Sequence, residues 1–482
     1  MAEQRDYLRH DLTALYAFIE CVAGGVVSRR NSAAYSAAAI RFFDFVEALA
    51  ASSKNHLERW SVDDSEEFED RRGELGTIRA AWREFHKLIK PALDADTLQA
   101  PSAVVDGIVR RFRELELPGC KETEFALFHT SEFNYVQVHT ADLRRTAEKI
   151  RHIIPEAPLF PDNLGLIGLP YSQGRTAFAN CLVAHEMGHH IYRRMAYGAA
   201  LQVKADAALK SGSSTYEQME QGQKDVVIKA LTQWSEEIFC DLFGAMLLGP
   251  CYPYSYIEAY DLSAILDCNG LVSGDRILPF IGFYEKYPSE MFRLQQQSIF
   301  LRESPWWDHI SKSSARYATL LKVLHNMPID AHVKENDKLG YLIPVLDSIM
   351  PEIRRVIGNT FEGVDCGFVL FSQLNNTIQK YLANGIVPST LNVRYGNRPE
   401  EVTMVSPSPL VLLNSGMEFY LTRVNELMCS IRDEDETMFP RRLHWIRRIE
   451  EWIAKAIEDE SLEKEVIDVD PGGNGNPAPP QT

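Results

Sequence analysis

Apolar residues recur at three- and four-residue intervals through most of this chain, which is the period of an amphipathic helix. Within residues 32–52, Ile40, Phe43, Val46 and Leu49 form one stripe in an Ala-rich segment of high helix propensity. Within 64–93 the stripe is Leu75, Ile78, Trp82, Phe85 and Ile89, opened by acids that suit a helix N-terminus and closed near Pro91. Residues 4–116 are therefore expected to be helical. The pattern changes at 124–139, EFALFHTSEFNYVQVH, where aromatic and β-branched residues partly alternate, as strands do. LGLIGLP at 164–170 is short, apolar and glycine-punctuated, and is expected as an edge strand. Helical spacing returns at Thr176, with residues 176–198 expected as one long helix. A polar helical connection follows over 200–233, then a strong helix over 232–250 that stops at Gly249-Pro250. Beyond 335 the chain reads as helix, interrupted by a loop-rich interval at 386–415 and resumed as a long helix over 416–456.

These elements give a mainly α chain with a small β-sheet, of the α+β class. Four regions are expected: a helical N-terminal domain at 1–117, a core at 118–334, a helical region at 335–466 and a tail at 467–482, disordered by its Gly/Pro-rich composition. A chain of 482 residues, 45% hydrophobic and 24% charged, can bury a large core without help from a metal. Any metal here is expected to serve chemistry. The formal charge of −17 argues against a nucleic-acid partner, which would require a basic surface. Arg110, Arg111 and Arg113 stand beside Glu114 and Glu116 and read as a solvated helix face. The eight cysteines are scattered without a C-x-x-C pair, as reduced thiols are. Acids intrude early into the first residues, unlike a signal peptide, and no run approaches a membrane span, so a cytoplasmic protein without a membrane partner is expected.

The segment AHEMGHH, 184–190, carries the candidate chemistry. Residues four apart on a helix share a face, so His185 and His189 can converge on one ion. Glu186, about 100° further round, can reach a water there without binding the ion itself. The flanking Cys181, Leu182, Val183, Ala184 and Ile191 make this helix apolar, and burying two histidines and a glutamate on it is costly unless something satisfies them. His190 points away from the direction of His189 and is not expected to ligate. On WSEEIFCDLFGAMLLG, Glu237 and Asp241 also share a face among core residues, whereas Glu236 is expected to face solvent.

HEMGH followed by EEIFCD resembles the gluzincin zinc metallopeptidases, in which a glutamate on a second helix completes the ligand set in an E-x-x-x-D pattern. The resemblance implies a zincin-like catalytic core with helical N- and C-terminal regions. It implies Zn2+ held by His185, His189 and Glu237, Glu186 as the general base, and Asp241 as the carboxylate that orients the first histidine. A weaker likeness joins SPWWDHISKSSARYATLL, 304–321, to an S-H-P-x-x-x-x-R segment of membrane-embedded relatives. His309 and Arg316 match it, Ile310 replaces the proline, and His309 becomes a candidate for oxyanion stabilisation. The membrane spans of those relatives have no counterpart, and their lipid-linked substrates are not carried over. Tyr171, Tyr192, Tyr252 and Tyr254 all fall near the motifs, and the sequence does not choose among them.

The function so implied is a soluble intracellular zinc endopeptidase acting on a protein or peptide substrate, in which a zinc-activated water attacks the peptide carbonyl with Glu186 as base. A strand such as 133–139 or 164–170 would take the extended substrate by β-addition. Two other readings use the same ligands: a non-proteolytic zinc-containing scaffold or sensor, and a zinc amidase of small substrates.

Overall fold

A computed structural model describes residues 2–30, 36–60, 68–93, 103–115, 120–130, 136–138, 140–170, 176–212, 219–259, 288, 290–313, 342–362, 364, 367–394, 402–430 and 438–469. Tyr171, Cys268, Arg316, Cys366 and the tail from residue 470 lie outside them.

Four helices come first: α1 (Ala2–Arg30), α2 (Ala37–Glu58), α3 (Phe68–Leu93) and α4 (Ala103–Glu114). Strands β1 (Glu124–Thr130) and β2 (Val136–Val138), helix α5 (Thr140–Ile153) and strand β3 (Leu164–Pro170) follow. The fold is mainly helical with a small sheet, as expected. Its residues gather into two compact units, one of Met1–Pro101 with Pro118–Arg175, the other of Ser102–Leu117 with Thr176–Thr482. That division falls elsewhere than the expected region boundaries, because the strands close a core with the N-terminal helices while α4 joins the later ones.

In the first unit the stripes named from the sequence face one core. Phe43, Val46 and Leu49 of α2 and Trp82, Phe85 and Ile89 of α3 are fully buried. Ser36 caps α2 by accepting a hydrogen bond from the Ala39 amide. Phe42 and Phe43 pack on Phe128 of β1, with ring centroids 5.9 and 5.4 Å away. The sheet order is β1-β3-β2, with β3 parallel to β1 and antiparallel to β2. The run LGLIGLP is thus a central strand and not the expected edge. It lacks alternation because all seven residues are buried, as in strands covered on both faces. With a neighbour on each side, β3 is also not free to receive a substrate strand.

Helix α1 contains one stretch, Asp6–Val27, long and apolar enough by composition to cross a membrane, which the sequence expectation had missed. Its Leu8, Leu15, Ile19, Val22 and Val26 lie three, four or seven apart and are buried in the core of the unit.

The second unit is built from α4 and from helices α6 (Val183–Arg194), α7 (Tyr197–Gly212), α8 (Gln221–Leu248), α9 (Cys251–Ala259), α10 (Glu290–Arg302), α11 (Trp306–Ser313), α12 (Leu342–Thr360), α13 (Phe368–Ala383), α14 (Pro409–Ser430) and α15 (Met438–Val469). Phe112 of α4 packs on Phe243 of α8, which is why α4 belongs here. The single long helix expected over 176–198 is instead a 3-10 turn (Ala179–Leu182) leading into α6. Helix α6 ends at Arg194, and Ala196, with a φ of 53°, separates it from α7. The interval 386–415 holds an antiparallel hairpin, β4 (Leu391–Arg394) and β5 (Val402–Val405), and α14 begins before the expected 416.

Candidate metal centre

Helices α6 and α8 lie against each other because Gly188 has no side chain. A Cβ placed there would come within 2.8 Å of the Cys240 Cα, so any other residue would push the two backbones apart. This contact puts the two E-x-x-x-D carboxylates under the two histidines. The imidazoles of His185 and His189 are 4.8 Å apart between ring centroids and nearly perpendicular. Glu237 reaches between them. Its Oε2 is 3.3 Å from His185 Nε2, and its Oε1 is 3.7 Å from His189 Nε2.

Each histidine is held from behind by a carboxylate of its own. His185 Nδ1 donates to Asp241 Oδ1 at 2.9 Å, and His189 Nδ1 donates to Glu236 Oε1 at 2.8 Å. An ionised carboxylate only accepts, so the proton sits on Nδ1 and both Nε2 atoms face the Glu237 side. The Glu236 bond overturns the solvent-facing role expected for that residue. Although it points off the Glu237 direction on α8, the close crossing of the helices brings it to His189, and Arg193 donates to the same oxygen at 3.0 Å.

Asp241 is fully buried and saturated with donors. Arg293 of α10 grips it through Nε on Oδ2 at 2.6 Å and Nη2 on Oδ1 at 2.9 Å, and Tyr252 of α9 donates to Oδ1 at 2.9 Å. The Tyr252 ring fits because Gly244 leaves it room: a Cβ there would meet the ring at 2.4 Å. Arg293 also lies 3.4 Å from Glu237 Oε2 and over the Tyr256 ring. Burial would raise the Asp241 carboxyl, but the Arg293 charge and the His185 hydrogen bond carry it well below the usual carboxylate range. For Glu237, burial is outweighed by its contacts with His185 and Arg293, which bring it down to about 2. Burial likewise opposes protonation of His185, yet Asp241 and Glu237 carry it up to about 10, so the space between His185 and Glu237 is set to hold positive charge. His190 goes the other way: burial and Arg194 push it down to about 4.

Glu186 is buried, at 8% exposure, and forms no hydrogen bond or ion pair among the described residues. The carboxylates bonded or ion-paired to the two histidines are Glu236, Glu237 and Asp241, backed in turn by Arg193 and Arg293.

The donor set fits a metal ion. Ligands about 2.0–2.2 Å from one ion in tetrahedral arrangement stand about 3.3–3.6 Å apart, close to the spacings that the two Nε2 atoms make with Glu237. A second donor is also in range: the ligand atoms of His185, His189 and Cys240 all lie within 4.8 Å of one another, and this cluster can hold a metal. The Cys240 thiol is fully buried, and burial together with the surrounding carboxylates pushes it up.

His309 is placed with α13 and α14. Its Nε2 bonds Glu418 Oε2 at 2.9 Å, and its ring meets Phe371 edge-on. The oxyanion role expected for it does not enter the function proposed below. Of the four tyrosines named from the sequence, the structure brings Tyr252 to the cluster. Tyr192 packs against Phe239 instead, with the two rings tilted. Arg293, Glu236 and Cys240 were not foreseen as members of the site. Cys240 had a signal, since it lies three residues after Glu237 and one before Asp241, on nearly the same face. Arg293 had none, because its place depends on how α10 crosses α8.

Comparison of the chain with protein-family models, with curated proteins and with solved structures finds no match.

Proposed function

We propose that the chain is a zinc-dependent endopeptidase with a zincin-like core, in which His185, His189 and Glu237 hold the ion. The observation that carries this reading is the convergence of two Nε2 atoms on one carboxylate, each imidazole fixed through Nδ1 by a separate acid. When bound, zinc supplies Lewis acidity that polarises a carbonyl and makes a water acidic near neutral pH. The chain's own residues do the rest. Glu186, which forms no hydrogen bond or ion pair among the described residues, takes the proton of the attacking water on a carboxylate oxygen and passes it to the leaving amine nitrogen. Asp241 and Glu236 fix the tautomer and tilt of the histidines. Arg293 and Tyr252 keep Asp241 ionised and in place. The substrate is a protein or peptide, and a cytoplasmic setting agrees with the thiols found free at Cys21, Cys120, Cys181, Cys240 and Cys251.

Cys240 supports a second reading. A site of His185, His189 and Cys240 would put a thiolate in the ligand set, as structural zinc sites do, and the protein would then be a scaffold or sensor. The two readings part experimentally. Under the peptidase reading, the purified protein carries about one zinc per chain, X-ray absorption shows nitrogen and oxygen scatterers only, and Glu186→Gln keeps the zinc while peptide cleavage falls by roughly 10²–10⁴-fold. A sulfur shell at about 2.3 Å that vanishes in Cys240→Ser establishes the thiolate-ligated site instead. Absence of zinc above the level of a His185→Ala, His189→Ala double variant removes both readings.

A further inference from the structure

Two thiols outside the metal cluster face each other at the root of the site. The sulfurs of Cys181 and Cys251 are 3.4 Å apart, although 70 residues separate them in the chain. Cys181 lies in the 3-10 turn that leads into α6, and Cys251 is the first residue of α9. Both are fully buried, so exposed solvent does not reach them directly. Cys251 does border a small cavity of about 20 Å³, enough for a water-sized molecule, shared with Trp306, His309, Phe371 and Met417. Its backbone N–H is fixed on Asn414 Oδ1 at 2.9 Å, and Asn414 Nδ2 in turn bonds the Leu248 carbonyl. Asn414 of α14 thus fixes Cys251 opposite Cys181, next to a cavity with room for only a very small reactant.

We propose that Cys181 and Cys251 form a dithiol that a peroxide oxidises to a disulfide, clamping the entry to α6 onto the start of α9. The cavity selects the oxidant by size and the geometry selects the order of events. The Cys251 sulfur attacks one oxygen of hydrogen peroxide and the O–O bond breaks. The departing oxygen leaves as water with the thiol proton, and Cys251 becomes a sulfenic acid. The Cys181 sulfur then attacks the Cys251 sulfur, the S–S bond forms and the S–O bond breaks, and the hydroxyl leaves as water with the Cys181 proton. Two thiols and one peroxide give one disulfide and two waters. The two sulfurs lose the two electrons that the peroxide oxygens gain. A sulfur–sulfur bond is about 2.05 Å long, so closing it draws the two roots together by somewhat over 1 Å. The residue after Cys251 is Tyr252, whose hydroxyl sits on Asp241, and the residues four beyond Cys181 begin with His185. The clamp thus acts on both sides of the candidate metal centre.

The test is peptide mapping of the full-length protein, kept native during treatment with hydrogen peroxide and then alkylated and digested without reductant. A Cys181–Cys251 cross-linked peptide, lost again on adding a reducing agent, is the expected result. In Cys181→Ser, which cannot complete the second step, the Cys251 sulfenic acid should be found by a sulfenic-acid-specific dimedone probe added as the peroxide-treated protein is unfolded. In Cys251→Ser, Cys181 should stay a thiol. The proposal is overturned if wild-type Cys181 and Cys251 remain alkylatable at a peroxide dose that fully oxidises the exposed Cys21. It is equally overturned if the cross-link forms only after denaturation. Because the decisive measurement uses the unaltered chain, a variant that fails to fold does not rescue it.

Discussion

At the residue scale the candidate site is a set of carboxylates sorted by what lies next to them. Glu237 and Asp241 are one turn apart on α8, yet one faces both imidazole Nε2 atoms and the other is locked under Arg293. Glu236 does for His189 what Asp241 does for His185. Its replacement by Gln should therefore weaken metal binding, and about 10–100-fold is the expected size for Glu236→Gln and Asp241→Asn alike. Competition with a chromogenic chelator measures it, and a Glu236→Gln protein that binds zinc as well as wild type would falsify the support assigned to that residue. Arg293→Met should be costlier to the fold than to the ligands. It strips a buried carboxylate of its cation, and breaking such a pair costs roughly 3–5 kcal/mol. Denaturant titration should show that loss, and Arg293→Met with Asp241→Asn should recover part of it if the two act as a pair. Four of the site's members, His185, His189, Glu237 and Asp241, were legible because i to i+4 spacing is local to one helix. The reach of Glu236 and the grip of Arg293 arise where separate helices cross, and no short spacing encodes a crossing.

At the scale of elements, the crossing itself depends on a residue with no chemistry. Gly188 sits inside the motif and lets the α6 backbone touch α8 at Cys240. Gly188→Ala keeps every ligand and should still lose metal affinity, because the histidines are carried away from Glu237. The overpacking itself should cost about 1–3 kcal/mol. Gly358→Ala on α12 is the matched control. Nothing stands within 4 Å of a Cβ there, so the change should be neutral or stabilise by about 0.4–1 kcal/mol through the unfolded chain. Thermal melting with and without zinc separates the two, and equal zinc affinity in both variants would show that the helices can part without opening the site. Periodicity was a good guide to which segments are helices and a poor one to where they stop. The break at Ala196 is a backbone conformation that no composition signals, and the prolines of 386–415 concealed the β4–β5 hairpin. LGLIGLP, short, apolar and glycine-punctuated, suggests an edge strand, yet its unbroken apolar run is what burial on both faces produces.

At the scale of the molecule, the two compact units and the overall charge set the terms on which any ion is bound. A ligand that binds only the folded state stabilises by RT ln(1 + [L]/Kd), about 4 kcal/mol at a thousandfold excess over Kd. That stabilisation belongs to the structure that holds the ligand. Every member of the candidate centre lies in the second unit, on α6, α8, α9 and α10, while α1, α2 and α3 belong to the first. Zinc added to chelator-treated protein should therefore slow amide hydrogen exchange in α6, α8 and α10 and leave α2 and α3 as they were. The −17 charge makes a control necessary, since an acidic surface gathers divalent cations without any built site. Magnesium serves, because it prefers oxygen ligands in octahedral arrangement and should not take two imidazoles. Protection by zinc alone, confined to the helices of the second unit and lost in Glu237→Gln, is the pattern a built centre gives. Equal protection by magnesium, or by zinc across α2 and α3, would mean that the charged surface collects the ion and that His185, His189 and Glu237 do not.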